Sequence, residues 1–156
     1  MRSWFLKMFC KENHFKSKGA IKMKILEQFI SKSQLACLRE ACRGEEGKYF
    51  NNMILKLKSH IVSMPKTYGT DGQGDDVTVM LHYFINGSDW WITERDVILD
   101  DQVQAFGYVC LNGDTDCAEL GYISITELIE NNVELDLYFE PTTLRDVKKK
   151  LFEKAA

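Results

Sequence analysis

The amino-acid sequence predicts an α+β fold: two helices, an antiparallel sheet, a short helix, a last strand and a final helix. Two patterns carry this prediction. In the first third of the chain, apolar residues recur three or four positions apart, which is typical of helices that pack on one face. Beyond residue 76 the pattern changes to alternation, and the Asn86-Gly87 dipeptide between two alternating segments is favoured in tight hairpins. With 156 residues, 45% of them apolar, the chain is long enough to bury a core.

The N-terminal end is predicted to be an arm. Residues 1–20 are basic and show no periodicity, which indicates a weakly ordered segment. Translation could begin at Met1 or at Met23, which opens the first periodic segment.

Residues 21–63 are predicted to form a helical hairpin. One apolar face runs from Lys24 to Ala41, either as a single helix or with a break near Ser31-Lys32-Ser33. Gly44 punctuates the end of this segment. A second apolar stripe runs from about Glu46 to Val62, with lysines outside it.

Residues 64–156 are predicted to form an acidic α+β domain whose strands pair through hairpins. A loop rich in glycine and aspartate, Gly69–Asp76, precedes the first strand. Asn86-Gly87 closes the first hairpin, and Asn112-Gly113-Asp114 closes the second. We expect 64–141 to form a single antiparallel sheet. The predicted strands are 77–85, 89–94, 104–111, 118–123 and 134–139.

Two helices of this domain are predicted from their capping residues. Ser124-Ile125-Thr126-Glu127 matches a capping box, in which the serine hydroxyl accepts a hydrogen bond from an otherwise orphaned backbone amide. This short helix is expected to lie on one face of the sheet and to end near Asn131-Asn132. Thr143 and Asp146 are predicted to cap a basic final helix that runs to about Lys154.

Charge divides the chain into three segments of alternating sign. Residues 1–65 contain 13 basic and five acidic residues, 66–141 contain two and 16, and 142–156 contain five and two. Disordered acidic segments lack aromatic and β-branched residues, whereas this one is rich in both, so its charge is expected on a folded surface. Such asymmetry bears on the choice of partner, although segments of opposite sign can also pack on each other.

Four short motifs follow one another along residues 64–145. They are Asp89-Trp90-Trp91-Ile92-Thr93-Glu94, Ala105-Phe106-Gly107-Tyr108, Glu119-Leu120-Gly121-Tyr122-Ile123-Ser124 with Glu127-Leu128, and Glu134-Leu135-Asp136-Leu137-Tyr138-Phe139 with Pro141. Together they resemble the domain-of-unknown-function family 2958, which has arginine where this chain has Leu135. The resemblance implies a protein of bacterial plasmids, phages or integrative elements, from a family with no established activity.

One group of residues could support metal-assisted hydrolysis, because hard divalent cations bind several carboxylate oxygens. It comprises Asp71, Asp75, Asp76, His82, Glu94 and Glu119. The aspartates and glycines of Gly69–Asp76 are also the residues that turns favour, and we prefer that interpretation. Asn112-x-Asp114-x-Asp116 begins like a calcium loop, but Cys117 stands where that loop needs glycine. It is therefore interpreted as a turn, and no metal is expected.

The adjacent Trp90 and Trp91 must point to opposite faces of their strand. One is expected in the core, and the other is either covered by a helix or free to anchor an interface. The five cysteines are irregularly spaced and are expected to be free, buried thiols. Cys110 and Cys117 flank the second turn and are expected to be either buried thiols or a redox-labile pair. No phosphate-binding loop, dinucleotide fingerprint or nucleophile elbow is found, so no cofactor is expected.

Three functions remain open. The favoured one is a non-enzymatic accessory protein of a mobile element that binds a basic protein through the acidic surface, with a host-defence or nucleic-acid-handling protein as the target class. The second is nucleic-acid binding through the basic N-terminal segment, and the third is metal-dependent hydrolysis. No apolar run is long enough to span a membrane, and the bacterial cytoplasm is the expected location. The predicted binding residues are Asp71, Asp75, Asp76, Trp90, Trp91, Glu94, Asp114, Asp116 and Glu119.

Overall fold

The computed structural model describes residues 24–99 and 101–155, and the predicted arm at 1–20 lies outside them. The described chain has the α+β fold that the sequence predicts. Its helices are α1, Lys32–Ala41; α2, Gly47–Ser63; α3, Ile125–Glu130; and α4, Leu144–Ala155. Its strands are β1, Thr78–Val79; β2, Leu81–Ile85; β3, Ser88–Glu94; β4, Gln104–Cys110; β5, Glu119–Ser124; β6, Glu134–Leu135; and β7, Thr142–Thr143.

Five of the strands form one antiparallel sheet in the order β5-β4-β3-β2-β6. The two hairpins form where they were expected. Asn86 and Gly87 have φ angles of 47° and 81°, and Asn112 and Gly113 have 53° and 70°. Asn86-Gly87 is the two-residue turn between β2 and β3, in which both residues need positive φ, and asparagine and glycine tolerate this best. Asn112-Gly113 forms a turn inside the longer connection 111–118 between β4 and β5.

The expectation of a single sheet is wrong, because β1 pairs with β7 in a second, two-stranded sheet. The predicted strand 77–85 is interrupted at Met80. Val79 is buried on one side of the main sheet, whereas Leu81 is buried on the other. Residues two apart on a regular strand share a face, so the interruption lets both side chains reach a core.

The last predicted strand is also shorter than expected, because it ends after Leu135. The Asp136 carboxylate accepts a hydrogen bond from the Tyr138 amide at 3.0 Å, and the Asp136 carbonyl accepts one from the Phe139 amide at 3.3 Å. A local turn of this kind competes with the sheet ladder for the same backbone groups.

Both faces of the sheet are covered. We call residues 25–63, which include α1 and α2, the N-terminal helical segment. The first core joins one face of the sheet to this segment and to α3. The second core joins the opposite face to α4. The fully buried side chains include Phe29, Ile30, Leu81, Ile92 and Ile125 in the first core, and Val79 and Leu144 in the second.

The N-terminal segment breaks at Ser31, one of the two alternatives that the sequence left open. The Ser31 hydroxyl accepts a hydrogen bond from the Gln34 amide and caps α1. The Gln34 side chain then bonds both backbone groups of Leu135, accepting from its N–H at 3.0 Å and donating to its carbonyl at 2.7 Å. This residue therefore ties α1 to β6. The predicted hairpin arrangement of α1 and α2 stays a prediction.

The C-terminal helices begin at the predicted caps. The Ser124 hydroxyl accepts from the Glu127 amide at the start of α3. Thr143 and Asp146 bond reciprocally at the start of α4. Within the described residues, no helix is long and apolar enough to cross a membrane.

The buried hydroxyl of Tyr83 allows a direct test of the first core. It donates to the Phe29 carbonyl at 2.6 Å, and burial raises the pKa of Tyr83. We expect Tyr83→Phe to lower the free energy of unfolding by about 1–2 kcal/mol, because a buried carbonyl loses its partner. Urea denaturation measures this. Tyr138→Phe is the matched control: its side chain is exposed and its hydroxyl bonds to no described residue, so its loss should be close to zero. Equal effects of the two changes would contradict the packing described.

Candidate functional site

A groove of about 510 Å³ lies beside β5, between the first-core face of the sheet and α3. Its volume falls in the range of ligand-binding clefts. The floor is apolar and includes the half-buried Trp90, Ile85 and Val109. We call it the β5 groove. Its walls are formed by Leu111, Cys117, Glu119, Gly121, Tyr122, Ile123, Ser124, Glu127, Leu128, Asn131 and Val133.

The polar side of the groove is acidic. Glu119 and Glu127 line it directly, and the turn that contributes Leu111 and Cys117 also carries Asp114 and Asp116. We call Asp114, Asp116, Glu119 and Glu127 the acidic rim. All four are exposed, and none forms an ion pair with a described residue.

The expectation of buried thiols is wrong for Cys117 and Cys37, which are both exposed. The acidic rim raises the pKa of the Cys117 thiol. A side-chain hydrogen bond with Asp114 contributes most, followed by the charge of the same carboxylate, with smaller effects from burial, Asp116 and Glu119. Asp114 also accepts from the backbone amides of Asp116 and Cys117, so its carboxylate holds the turn in shape. Negative charge is therefore concentrated at the end of the groove.

Asp75 and Asp76, also predicted as binding residues, have basic partners in α4. Lys148 bonds Asp75 at 2.6 Å, and Arg145 bonds Asp76 at 2.7 Å. Lys148 also lies over the Tyr108 ring, 5.1 Å from its centroid. These two aspartates thus hold α4 beside the second core. At Asp75 and Asp76, the acidic segment therefore packs on the basic C-terminal segment, which is one of the two interpretations of the charge pattern.

Glu94 lies at the end of β3, where a bulge shifts the register between Ile92 and Glu94. The bulge sets Glu94 opposite Phe106, and the side chain is almost fully buried. Its carboxylate accepts hydrogen bonds from the amides of Tyr68 and Thr70, both at 2.8 Å, and from the Thr70 hydroxyl. This residue fixes a loop and is not open to a partner. Asp71, in the same loop, is exposed.

The two tryptophans point to opposite faces, as predicted. Trp90 lies on the floor of the β5 groove, whereas Trp91 is buried in the second core. Trp91 stacks on the His82 ring with centroids 5.3 Å apart. His82 is bonded on both ring nitrogens, to Asp89 at 2.8 Å and to Asp136 at 3.2 Å. A histidine on a strand is expected to have partners in the sheet, but the sequence does not identify them, because Asp136 is 54 residues from His82.

The six residues considered for metal-assisted hydrolysis do not converge. His82 is engaged with its two aspartates, Glu94 is buried under its loop, and Glu119 lies on the groove. In the part of the chain that the structure describes, no three histidine, cysteine or acidic side chains are arranged to hold a metal ion.

Sequence reasoning missed the contribution of α3 to the groove. Glu127 and Asn131 were recognised only as cap and end of a short helix, and Leu111 and Cys117 only as neighbours of a turn. The capping box predicts where α3 begins in the sequence. The sheet residues that α3 contacts depend on tertiary packing, which the capping box does not determine. The signal available was the position of Ser124 directly at the end of β5, which forces α3 to begin at that sheet edge.

Comparison with known proteins adds no further constraint. No protein-family model, no curated protein and no solved structure matches this chain. The resemblance to the domain-of-unknown-function family 2958 therefore stays a proposal.

The hydrogen bonds accepted by Glu94 predict a large effect of a small change. Glu94→Gln replaces one carboxylate oxygen by an amide that cannot accept, and it removes the charge that strengthens the remaining bonds. We expect the free energy of unfolding to fall by about 1–3 kcal/mol. Chemical denaturation measures this, with the exposed Glu134→Gln as control. A loss no larger than that of the control would show that the loop does not depend on this carboxylate.

The pKa of Cys117 predicts the rate of its alkylation. The thiolate is the nucleophile, so a raised pKa slows the reaction near neutral pH and shifts its onset to higher pH. Asp114→Asn removes the largest cause of the shift, and Cys117 should then react faster with iodoacetamide, with its rate profile displaced toward lower pH. Peptide mapping by mass spectrometry measures each site. The exposed Cys37, far from this turn in sequence, is the internal control and should not change. An unchanged Cys117 profile would contradict the proposed electrostatics.

Proposed function

We propose that this protein is a non-enzymatic binding module of a bacterial mobile genetic element, which holds a basic partner protein at the β5 groove. The observation that carries the proposal is an apolar groove with a tryptophan on its floor and, at its rim, four carboxylates that form no ion pair with a described residue. A tryptophan in a cleft is the kind of anchor that dominates interface energies. Acidic side chains around it favour lysine and arginine on the partner.

The division of the acidic residues supports this choice of face. Asp75 and Asp76 are neutralised locally by α4, whereas the acidic rim is not. Carboxylates without a basic partner repel each other, and a basic ligand relieves that repulsion. Single exposed charges contribute little, about 0.2–1 kcal/mol each, so several must act together with apolar contact.

The cellular setting rests on the resemblance. Proteins similar to the domain-of-unknown-function family 2958 occur in plasmids, phages and integrative elements, and the proposed partner is accordingly a protein of the bacterial cytoplasm. Proteins that handle nucleic acid carry basic surfaces for phosphate, and a folded acidic face can compete for those surfaces. A host-defence or nucleic-acid-handling protein is thus the proposed target class.

Binding of a basic strand-forming peptide tests the proposal. The probe is a dye-labelled peptide of about eight residues with alternating lysine and valine, the length of an ordinary strand. Fluorescence anisotropy should show binding that weakens steeply between about 50 mM and about 300 mM salt, because exposed charges are screened over roughly 10 Å at 0.1 M. Reversal of Asp116, Glu119 and Glu127 to lysine should weaken binding by about tenfold or more. Asp114 is left in place because it shapes the turn.

Two controls separate this site from general attraction. Reversing Glu45, Asp101 and Glu153, which are exposed elsewhere, changes the net charge equally and should weaken binding far less. Leu111→Ser removes an exposed apolar wall of the groove and should weaken binding more than Leu55→Ser on α2, where the leucine is similarly exposed. Equal losses in the two charge variants, or no binding by the wild-type protein, would reject the proposal.

A further inference from the structure

The main sheet has two edges, and they differ. At the β6 edge, the Gln34 side chain occupies both backbone groups of Leu135. At the β5 edge, strand β5 pairs only with β4 among the described strands. One edge is thus closed by a side chain that imitates a neighbouring strand, and the other is open.

The backbone groups that β5 leaves open can be identified from the register. The Ile125 amide donates to the Val103 carbonyl at 3.0 Å, which continues the β4–β5 register. Bonded pairs alternate along an antiparallel ladder, so Glu119, Gly121 and Ile123 also direct their backbone groups to β4. The N–H and carbonyl groups of Leu120 and Tyr122 therefore point outward. Neither residue makes another backbone hydrogen bond to the described chain.

Lysine, proline and bulges, three features that protect many sheet edges, are missing from β5, whose one charged residue is Glu119 at its start. Such edges usually carry lysine, proline or a bulge, which discourages pairing with another strand. Strand β5 reads Glu119-Leu120-Gly121-Tyr122-Ile123-Ser124, with no lysine or proline, and its register with β4 is unbroken. Leu120 is 43% exposed and Tyr122 is 52% exposed, so the open edge is flanked by apolar surface.

Resting on the function proposed above, we propose that a partner docks by adding an extended basic strand to β5. Successive side chains of such a strand point alternately to the two faces of the sheet. On the face opposite Glu119 they meet the side chains of Leu120 and Tyr122, although Tyr122 also contributes to the groove wall. On the other they meet the β5 groove, where lysine stems lie on the apolar floor and their ammonium groups reach Glu119 and Glu127. The protein would then recognise a strand of alternating apolar and basic residues and hold it by main-chain hydrogen bonds.

Charge decides between the possible occupants. Residues 111–134 contain no basic residue, so a second copy of this chain paired through β5 would add only acidic residues to an acidic edge, and like charges repel. A lysine-rich or arginine-rich strand places opposite charges there instead. The occupant is therefore a basic strand of another protein.

Main-chain bonding is tested by peptide methylation. Two versions of the lysine–valine probe are compared with the parent, one N-methylated at every lysine and the other at every valine. Both versions keep the charges and the side chains. Backbone N–H groups of successive residues point to opposite edges of an extended strand, so each version lacks the donors along one edge. Strand addition predicts that one version binds about tenfold or more weakly than the parent and the other nearly as well. Equal binding of all three would overturn strand addition while leaving the proposed function intact, and failure of the parent to bind would reject the proposed function itself.

A protein variant tests the same edge from the other side. Tyr122→Pro removes an outward N–H that β4 does not use, a position where edge strands tolerate proline. Tyr122→Ala is the matched control, because it removes the same side chain but keeps the donor. With both variants folded by circular dichroism, the proline variant should bind the parent peptide several-fold less tightly than the alanine variant. Equal affinities would contradict strand addition, and the methylated peptides decide the matter if the proline variant does not fold. A concentration-dependent dimer of the wild-type protein that Tyr122→Pro abolishes would overturn the choice of occupant in favour of a second copy.

Discussion

The structure depends on the burial of β3 on both of its faces. Trp90 and Trp91 are consecutive on an extended strand and cannot share a face, so each side of the sheet needs its own cover. The N-terminal helical segment and α3 supply one cover, and α4 supplies the other. Large aromatic side chains contribute much of the stability that apolar burial provides, about 25 cal/mol for each square ångström removed from water. Apolar contact with the second core sets the position of α4, and the ion pairs of Asp75 and Asp76 with this helix add to that contact.

The same constraint explains where the functional surface lies. Cover is needed most over β2, β3 and β4, in the middle of the sheet, and it becomes incomplete at β5. There α3 stands away from the sheet far enough to leave the groove, with Trp90 reaching its floor from the neighbouring core. The site is thus an extension of the first core to the surface. The residues of its apolar floor also pack against the first core, and its proposed specificity depends on the few charged residues of the acidic rim.

The sequence predicts the local elements better than the long-range contacts, for physical reasons. The Asn-Gly turns and the caps at Ser124 and Thr143 depend on neighbours in sequence, and all of them form as expected. The break at Met80 could not be predicted, because it depends on which core each valine and leucine reaches. For the site, the charge pattern of the sequence predicted both Asp75 and Glu119 as binding residues. Only the fold separates them: Lys148, 73 residues from Asp75, takes one carboxylate and leaves the other exposed.

Charge and main-chain pairing have different roles in the proposed recognition. Exposed carboxylates attract a basic partner over distances comparable with the Debye length and so raise the rate of encounter, but they fix neither direction nor register. The outward amides and carbonyls of Leu120 and Tyr122 recur along the strand direction and therefore define both. Main-chain groups alone are indifferent to sequence, so they would pair with any extended segment. Selectivity for a basic strand requires both features at one edge, and β5 is the edge of the described sheet at which they coincide.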